Sequence, residues 1–415
     1  MHKRRVVVTG YGAVTPIGIG VKNFWQGLVS GENGVDLITK FDTTNFETKF
    51  AAEVKNFDPL NYFDKKTLKR IDPFTQYALV SAQEAIDTAG LDLEKVDKDK
   101  FGVIFGSGIG GMEALQNEHF KYFSAKNPSV ISPFFIPMMI ADLAAGQISI
   151  KYGLKGPNYA TTSACATASH AIADAFMIIQ KGLADVMLCG GSEAAISEMS
   201  IGGFNAMKAL STWNDRYKEA SRPFDKDRNG FVMGEGAGIL LIEELGHAIK
   251  RGANIIAEIA GIGLTADAYH ITAPAPGGEG AVRSMKMAIE DAGLSIFDID
   301  HINAHGTSTP YNDVTETMAI KTLFGDHAYK IVVNSTKSMT GHLLGAAGGI
   351  EAIATILAIQ HDTVPPTINL TNPDPECDLN YSPLKPTYKR INAAISNTFG
   401  FGGHNASLLF KKFEE

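Results

Sequence analysis

A short run in the first quarter of the 415-residue chain returns near residue 290 with its spacing intact. Ala85-Ile86-Asp87-Thr88-Ala89-Gly90-Leu91, followed by Val96-Asp97, is echoed by Ala288-Ile289-Glu290-Asp291-Ala292-Gly293-Leu294, followed by Ile299-Asp300 at the same offset. Each copy ends a helical pattern in glycine, the residue that accepts a left-handed C-cap without strain. Each then runs into an apolar strand, Phe101 to Phe105 in the first copy and Ile302 to Ala304 in the second. Upstream, Thr9-Gly10-Tyr11-Gly12 has a weaker counterpart in Ala260-Gly261-Ile262-Gly263, each behind an apolar stretch. The repeat predicts two similar α/β halves, residues 1–255 and 256–415.

Composition agrees with a layered α/β protein. Hydrophobic residues make up 45% and charged residues 20%, enough apolar mass for a large core. A formal charge of −8 speaks against general nucleic-acid binding, which needs a basic field. Three cysteines, at 165, 189 and 377, make neither a disulfide framework nor a zinc site, so a reducing, cytoplasmic setting is expected and no metal. Met-His-Lys-Arg-Arg starts like a signal peptide, but Val6-Val7-Val8 gives way at once to Thr9-Gly10-Tyr11-Gly12, so no leader is expected. No uninterrupted apolar run approaches the roughly eighteen residues of a membrane span, and no membrane partner is expected. Gly10-Tyr11-Gly12 reads as a turn closing a strand at Arg5 to Val8.

The chemistry concentrates around one thiol. Cys165 lies in Thr161-Thr162-Ser163-Ala164-Cys165-Ala166-Thr167, and behind it Ala168, Ala171, Ile172, Ala175, Phe176 and Ile179 follow helical spacing to Gly182. A thiol at a helix N-terminus faces unpaired N–H groups and the positive dipole end, which favour the thiolate and can hold an oxyanion. Taken alone, a single cysteine is more often a packed core residue. Its partners decide.

Two histidines qualify as partners. His305 sits in Asn303-Ala304-His305-Gly306-Thr307-Ser308-Thr309-Pro310, just beyond an apolar strand. His342 ends Lys337-Ser338-Met339-Thr340-Gly341-His342, ahead of a glycine-rich run and a helix from Ile350 to Gln360. Both occupy the edge at which α/β proteins build sites. Lys337 can reach Glu351 one turn into that helix. Asn397-Thr398-Phe399-Gly400-Phe401-Gly402-Gly403-His404-Asn405 is a last glycine loop, its phenylalanines either core plugs or a gate. Gly106-Ser107-Gly108-Ile109-Gly110-Gly111 matches G-x-G-x-x-G, yet no acidic residue ends a strand about twenty residues on, so it reads as a turn beside a pocket, not a dinucleotide site. A thiol, two histidines and a lysine point to acyl transfer to sulfur. No G-x-S-x-G is present for a serine hydrolase, and a cysteine protease has no use for a second histidine.

Together these segments resemble the β-ketoacyl-acyl-carrier-protein synthases, most closely the elongating synthase II group of bacterial fatty-acid synthesis. The resemblance rests on Val8-Thr9-Gly10-Tyr11-Gly12, Thr162-Ser163-Ala164-Cys165-Ala166-Thr167, Arg222-Pro223-Phe224-Asp225, Asn303 to Thr309, Lys337 to His342 and Asn397 to Gly403, in order along the whole chain. It implies a thiolase-like fold, a duplicated five-layer αβαβα sandwich with mixed sheets, working as a homodimer. It implies that Cys165 carries the acyl chain, that His305 and His342 assist decarboxylation of malonyl carrier protein, and that Lys337 and Glu351 order them, with Asp313 in support. By the same resemblance Phe401 is a gate and, with Cys165, an oxyanion donor. Ile109, Phe204 and Phe399 line the acyl site, and Thr307 and Thr309 contact the pantetheine arm. Acyl carrier protein is the implied partner, docked by Lys65, Lys66, Lys69, Arg70 and Lys208. No cofactor is implied beyond the carrier's arm, although relatives can hold a monovalent cation near the second-half site. Rival readings are a polyketide-type ketosynthase, disfavoured by a chain ending at Glu415 with no further segment, and a chain-length partner subunit, which lacks the cysteine.

Overall fold

The computed structural model describes residues 3–414. Its first half supplies strands β1 (Val6–Thr15), β2 (Phe101–Gly106), β3 (Asn158–Tyr159), β4 (Val186–Glu193) and β5 (Gly236–Glu244). They lie side by side in the order β3-β2-β4-β5-β1. β2 is parallel to both β3 and β4, while β4 and β1 are antiparallel to β5. The second half supplies β6 (Ala257–Ala266), β7 (His301–Asn303), β8 (Val332–Asn334), β9 (Ala393–Gly400) and β10 (His404–Lys411). Their order is β8-β7-β9-β10-β6, with the same parallel and antiparallel senses. One topology is thus used twice. The sheets join where Val6–Val8 of β1 pairs with Ala257–Ile259 of β6.

Helices fill the layers between and outside the sheets. α1 (Pro73–Ala89) and α2 (Leu143–Tyr152) cover the outer face of the first sheet, burying Phe74, Ala78, Ala82, Ala85 and Ile148 against Val103, Phe105, Leu188 and Ile239. α3 (Thr167–Gln180) lies on the inner face. α4 (Glu279–Ala292) and α5 (Pro310–Phe324) cover the outer face of the second sheet, and α6 (Ala347–His361) joins α3 in the middle layer. The result is the expected αβαβα stack. Leu344–His361 reaches a mean hydropathy of 1.2 over 18 residues although Glu351, Thr355 and Gln360 interrupt it, and 89% of it is buried between the sheets. It is a core helix.

The glycines at 10 and 12 do not make a turn. β1 continues through them with a register shift between Val8 and Gly10, and α1 lies so close that a Cβ on Gly10 would stand 2.2 Å from the Ala85 carbonyl oxygen and one on Gly12 2.0 Å from that of Ser81. In the second half, a Cβ on Gly261 would stand 2.2 Å from the Ala288 oxygen and one on Gly263 1.8 Å from that of Ser284. The repeated glycines therefore meet the repeated helices. They are contact points selected for the missing side chain, not for a bend.

The middle-layer helices begin alike. Ala164–Ala166 and Leu344–Ala346 are single 3₁₀ turns leading into α3 and α6, and each opens on a residue with positive φ, 51° at Ala164 and 47° at Leu344. Cys165 and Gly345 occupy corresponding places in them, and the turns pack together.

Gly12→Ala and Gly263→Ala are each expected to destabilise the fold by about 3 kcal/mol or more, because a methyl pressed onto backbone cannot escape by a rotamer change. Gly203→Ala, in the helix Glu198–Ala206 with no atom within 4 Å of the added methyl, is expected to be neutral or stabilising by about 0.5–1 kcal/mol. Urea unfolding of the variants beside the parent protein measures both.

Candidate active site

Cys165 is held in a turn that the sequence closes with its own hydroxyls. Thr167 Oγ1 accepts from the Ser163 N–H at 2.9 Å and donates to the Ala164 carbonyl at 2.7 Å. Ser163 Oγ meets His170 Nδ1 at 2.6 Å, one turn into α3. The thiol is 7% exposed at the floor of a pocket of about 400 Å³. Gly400 packs against this turn, its place for a Cβ 3.2 Å from the Cys165 nitrogen, which brings the Phe401 N–H onto the sulfur.

Both histidines come from the second half. His342 Nε2 lies 2.9 Å from Cys165 Sγ. Its backbone N–H donates to the Val232 carbonyl at 2.7 Å, and its ring stands edge-on to Phe231. His305 follows β7, and its ring is perpendicular to that of His342 with centroids 5.3 Å apart. Lys337 Nζ sits 3.4 Å from His305 Nδ1 and is ion-paired with Glu351 in full burial. An ammonium can only donate, so His305 Nδ1 accepts and its proton sits on Nε2. Glu316 of α5 takes the backbone N–H groups of His305 and Gly306, both at 2.9 Å. Asp313 holds the Phe224 N–H at 2.9 Å and faces Arg228 at 3.6 Å, one layer behind the pocket.

Burial sets the protonation states. It pushes the Cys165 thiol up to about 12, against the downward pull of the Lys337 ammonium and the Phe401 N–H. Both imidazoles are driven well below their ordinary 6.5, by desolvation first and the Lys337 charge second. The resting pair is a neutral thiol beside a neutral imidazole. The expectation of a favoured thiolate is corrected here: the helix end is present, but the cost of burying a charged sulfur is larger. Glu316 and Glu351 are each raised to about 7 by desolvation, tempered by their donors.

Ile109, Phe204, Thr307, Thr309, Phe399, Phe401 and Lys208 all line the pocket, and Thr307 and Thr309 join their hydroxyls at 2.9 Å. Lys337, Glu351 and Asp313 do not line it and act through the residues in front of them. Lys65, Lys66, Lys69 and Arg70 are exposed on and after a helical turn, Lys65–Leu68, apart from the pocket lining. Lys208, at the rim, pairs with Glu47 at 2.8 Å. Glu316 and His170 escaped the sequence reading. The only signal for Glu316 was a carboxylate on the buried face of α5, and His170 had none.

The donor atoms of Cys165, His305 and His342 lie within 4.8 Å of one another, a set that suits a soft metal, but the Lys337 ammonium beside His305 opposes a second cation. A hard, oxygen-lined position is a different matter. Asn303 Oδ1, Ser396 Oγ and Glu351 Oε2 are buried without a protein partner, and Asn303 is register-paired with Ser396 on neighbouring strands.

Residues 3–248 match the family model described as Beta-ketoacyl synthase, N-terminal domain, and residues 256–371 that described as Beta-ketoacyl synthase, C-terminal domain. The chain is 54% identical over 414 residues to a 3-oxoacyl-(acyl-carrier-protein) synthase 2 of Synechocystis sp., covering 100% of this chain and 99% of that one. The Staphylococcus aureus protein of the same name is 54% identical over 413 residues, with the same coverage. A crystal structure of a beta-ketoacyl synthase from Burkholderia phymatum superposes with a TM-score of 0.92 at 34% identity, over 99% of this chain and 100% of that one. A type II polyketide ketosynthase in complex with its acyl-carrier protein gives 0.93 at 34%, over 100% of both chains.

Alkylation reads the thiol's state directly. The rate of Cys165 modification by iodoacetamide is expected to climb from about pH 7 to about pH 9.5 without levelling, since only the thiolate reacts; a plateau by about pH 8 contradicts the neutral resting pair. Lys337→Met removes a charge that lowers the thiol's pKa, so its alkylation is expected to be slower at each pH.

Proposed function

The chain belongs to the β-ketoacyl synthase family, and on that premise we propose how its pocket does the family's work. It is an acyltransferase of fatty-acid synthesis: it condenses malonyl-acyl-carrier-protein with an acyl chain, with loss of carbon dioxide, to give a 3-oxoacyl chain two carbons longer. The observation that carries the division of labour is the closure of Cys165, His305 and His342 into one group at the pocket floor. In this reading residues 1–255 supply the nucleophile and residues 256–415 the histidines.

Loading comes first. Cys165 Sγ attacks the thioester carbonyl of the acyl carrier, and its proton passes through His342 Nε2 to the departing pantetheine sulfur. The tetrahedral oxyanion is held by the N–H groups of Cys165 and Phe401. Malonyl carrier then occupies the emptied arm site along Thr307 and Thr309. Its C–CO₂⁻ bond breaks, and the electron pair becomes an enolate whose oxygen takes a hydrogen bond from His305 Nε2; with the S–H consumed in the acyl-enzyme, His342 takes the tautomer that carries its proton on Nε2 and donates the second. Lys337, ion-paired with Glu351, fixes the His305 tautomer that makes the first donation. The enolate carbon attacks the acyl carbonyl, the new C–C bond forms, and the C–S bond to Cys165 breaks, the leaving thiolate taking one proton from solvent to restore the thiol. Malonyl decarboxylation supplies the carbanion, so we assign no cofactor to the chemistry. Asn303 Oδ1 and Ser396 Oγ, unpartnered on neighbouring strands of the second half, are the oxygens that would hold a monovalent cation.

Acyl carrier protein is the partner we assign, steered by Lys65, Lys66, Lys69, Arg70 and Lys208 on an enzyme of net charge −8. A homodimer is supported by the outer edge of β3, which has no strand partner among the described residues, and by Phe120, Phe123, Ile150 and Tyr159, all exposed. We place the protein in the cytoplasm, where a thiol nucleophile stays reduced. A polyketide-type product is the second reading, favoured only by the structural likeness at 34–35% identity against 54% for the fatty-acid enzymes.

Cys165→Ala is expected to abolish covalent loading, followed by intact-mass spectrometry with acyl carriers. His305→Ala is expected to keep loading within about tenfold and to lose decarboxylation by about 10²–10³, the usual cost of an oxyanion donor. His342→Ala should follow the same pattern, since water can replace a proton shuttle but not a preorganised donor. The opposite pattern, failed loading with intact decarboxylation, contradicts these roles. Lys65→Glu with Lys69→Glu is expected to raise KM for the carrier about tenfold at low salt with kcat unchanged, the difference fading as salt screens the field.

A further inference from the structure

Glu193 ends β4 in full burial and plays no part in the steps above. Its carboxylate gathers donors from two loops. Oε1 accepts from Ser107 Oγ at 2.7 Å and the Ile109 N–H at 3.2 Å, and Oε2 from the Gly108 and Gly345 N–H groups, both at 2.9 Å. Ser107 Oγ in turn accepts from the Gly110 N–H at 3.0 Å. One side chain therefore ties the 106–111 turn to the turn that starts α6. Neither loop has room for an alternative: a Cβ on Gly108 would stand 2.8 Å from Oε2, and one on Gly345 2.7 Å.

What these loops carry gives the tie its meaning. Ile109 and Leu344, each adjacent to a residue whose N–H reaches Glu193, both line the pocket, and Leu344 holds a positive φ of 47°. Such a conformation is unfavourable for a side-chain-bearing residue and persists only where neighbours enforce it. The carboxylate touches neither sulfur nor imidazole. Its contacts are all with the loops that carry the apolar wall; on Cys165 it acts only at a distance, as a negative charge that opposes the thiolate.

We propose that Glu193 is a positioning residue that fixes the Ile109 and Leu344 walls of the pocket and thereby sets which acyl-chain lengths Cys165 accepts. The inference rests on the reading of this pocket as the acyl site. A wall held by four donors stays put when a longer chain presses on it; a wall released from them yields. In Glu193→Gln the amide NH₂ must face either the Gly108 and Gly345 N–H groups or Ser107 Oγ and the Ile109 N–H, so in either orientation at least one backbone N–H loses its acceptor at nearly constant volume. Ser107→Ala removes one link and leaves the carboxylate in place.

The test is competitive loading of Cys165 from a graded series of acyl carriers, read by intact mass, beside malonyl decarboxylation by the same preparations. Discrimination between the preferred length and a chain four carbons longer is expected to fall about fivefold in Glu193→Gln and about twofold in Ser107→Ala, within what pocket contacts govern. Decarboxylation is expected to stay within about twofold of the parent, because the histidines are not moved. An unchanged length profile in Ser107→Ala and in any folded Glu193→Gln, with the parent protein loading normally, overturns this inference alone. A profile change matched by an equal loss of decarboxylation overturns it too, since that marks collapse of the whole site. Failure of the parent protein to load any acyl chain overturns the acyl-site reading first.

Discussion

The close approach of α6 to α3 is the constraint on which the site depends. Gly348 and Gly349 make it possible: a Cβ on the first would fall 2.2 Å from Ser169 Oγ of α3, and one on the second 2.4 Å from the Gly238 oxygen of β5. With two helix starts pressed together between the sheets, a nucleophile on one and a histidine ahead of the other have to meet. No loop needs to fold over to complete the group. Each member sits at the end of a strand or the start of a helix, pinned there by backbone hydrogen bonds such as those of His305 to Glu316 and His342 to Val232, which is how a buried constellation keeps its geometry.

That burial has an electrostatic consequence. A thiol raised to about 12 and imidazoles held neutral make a resting site with little charge facing the pocket, suited to receiving an apolar chain. The one strong charge, on Lys337, is kept behind His305 and matched by Glu351. Ion pairs this deeply buried seldom add net stability, because desolvation offsets the attraction. Here the pair serves to keep one imidazole in one tautomer. Glu316 works similarly on the backbone, fixing the path of the chain at His305 and Gly306 rather than touching substrate.

Much of this was legible in the residues. The repeat at Ala85 and Ala288 announced a fold used twice, and its glycine echoes marked the helix–strand contacts, although as spacers and not as turns. Cys165, His305, His342 and Lys337 stood out because each ends a strand or starts a helix in a small-residue setting. What stayed hidden was tertiary in cause. The protonation of Cys165 depends on how much protein surrounds it, which no local pattern records. Glu193 and His170 bond to residues far along the chain or on the hidden face of a helix, and a carboxylate at a strand end looks alike whether it meets water or three N–H groups and a hydroxyl.

The paired turns at Cys165 and Gly345 carry one more implication. A duplicated fold begins with two equivalent cradles, each a helix start able to hold negative charge. In this chain one cradle faces substrate and carries sulfur, and the other is filled from within by a carboxylate of the opposite half. The second cradle therefore takes no charge from substrate. Through Leu344 its shape bears on the space offered to a hydrocarbon tail, while the sulfur sits on the other copy. Selectivity and reactivity become separately adjustable within a single polypeptide.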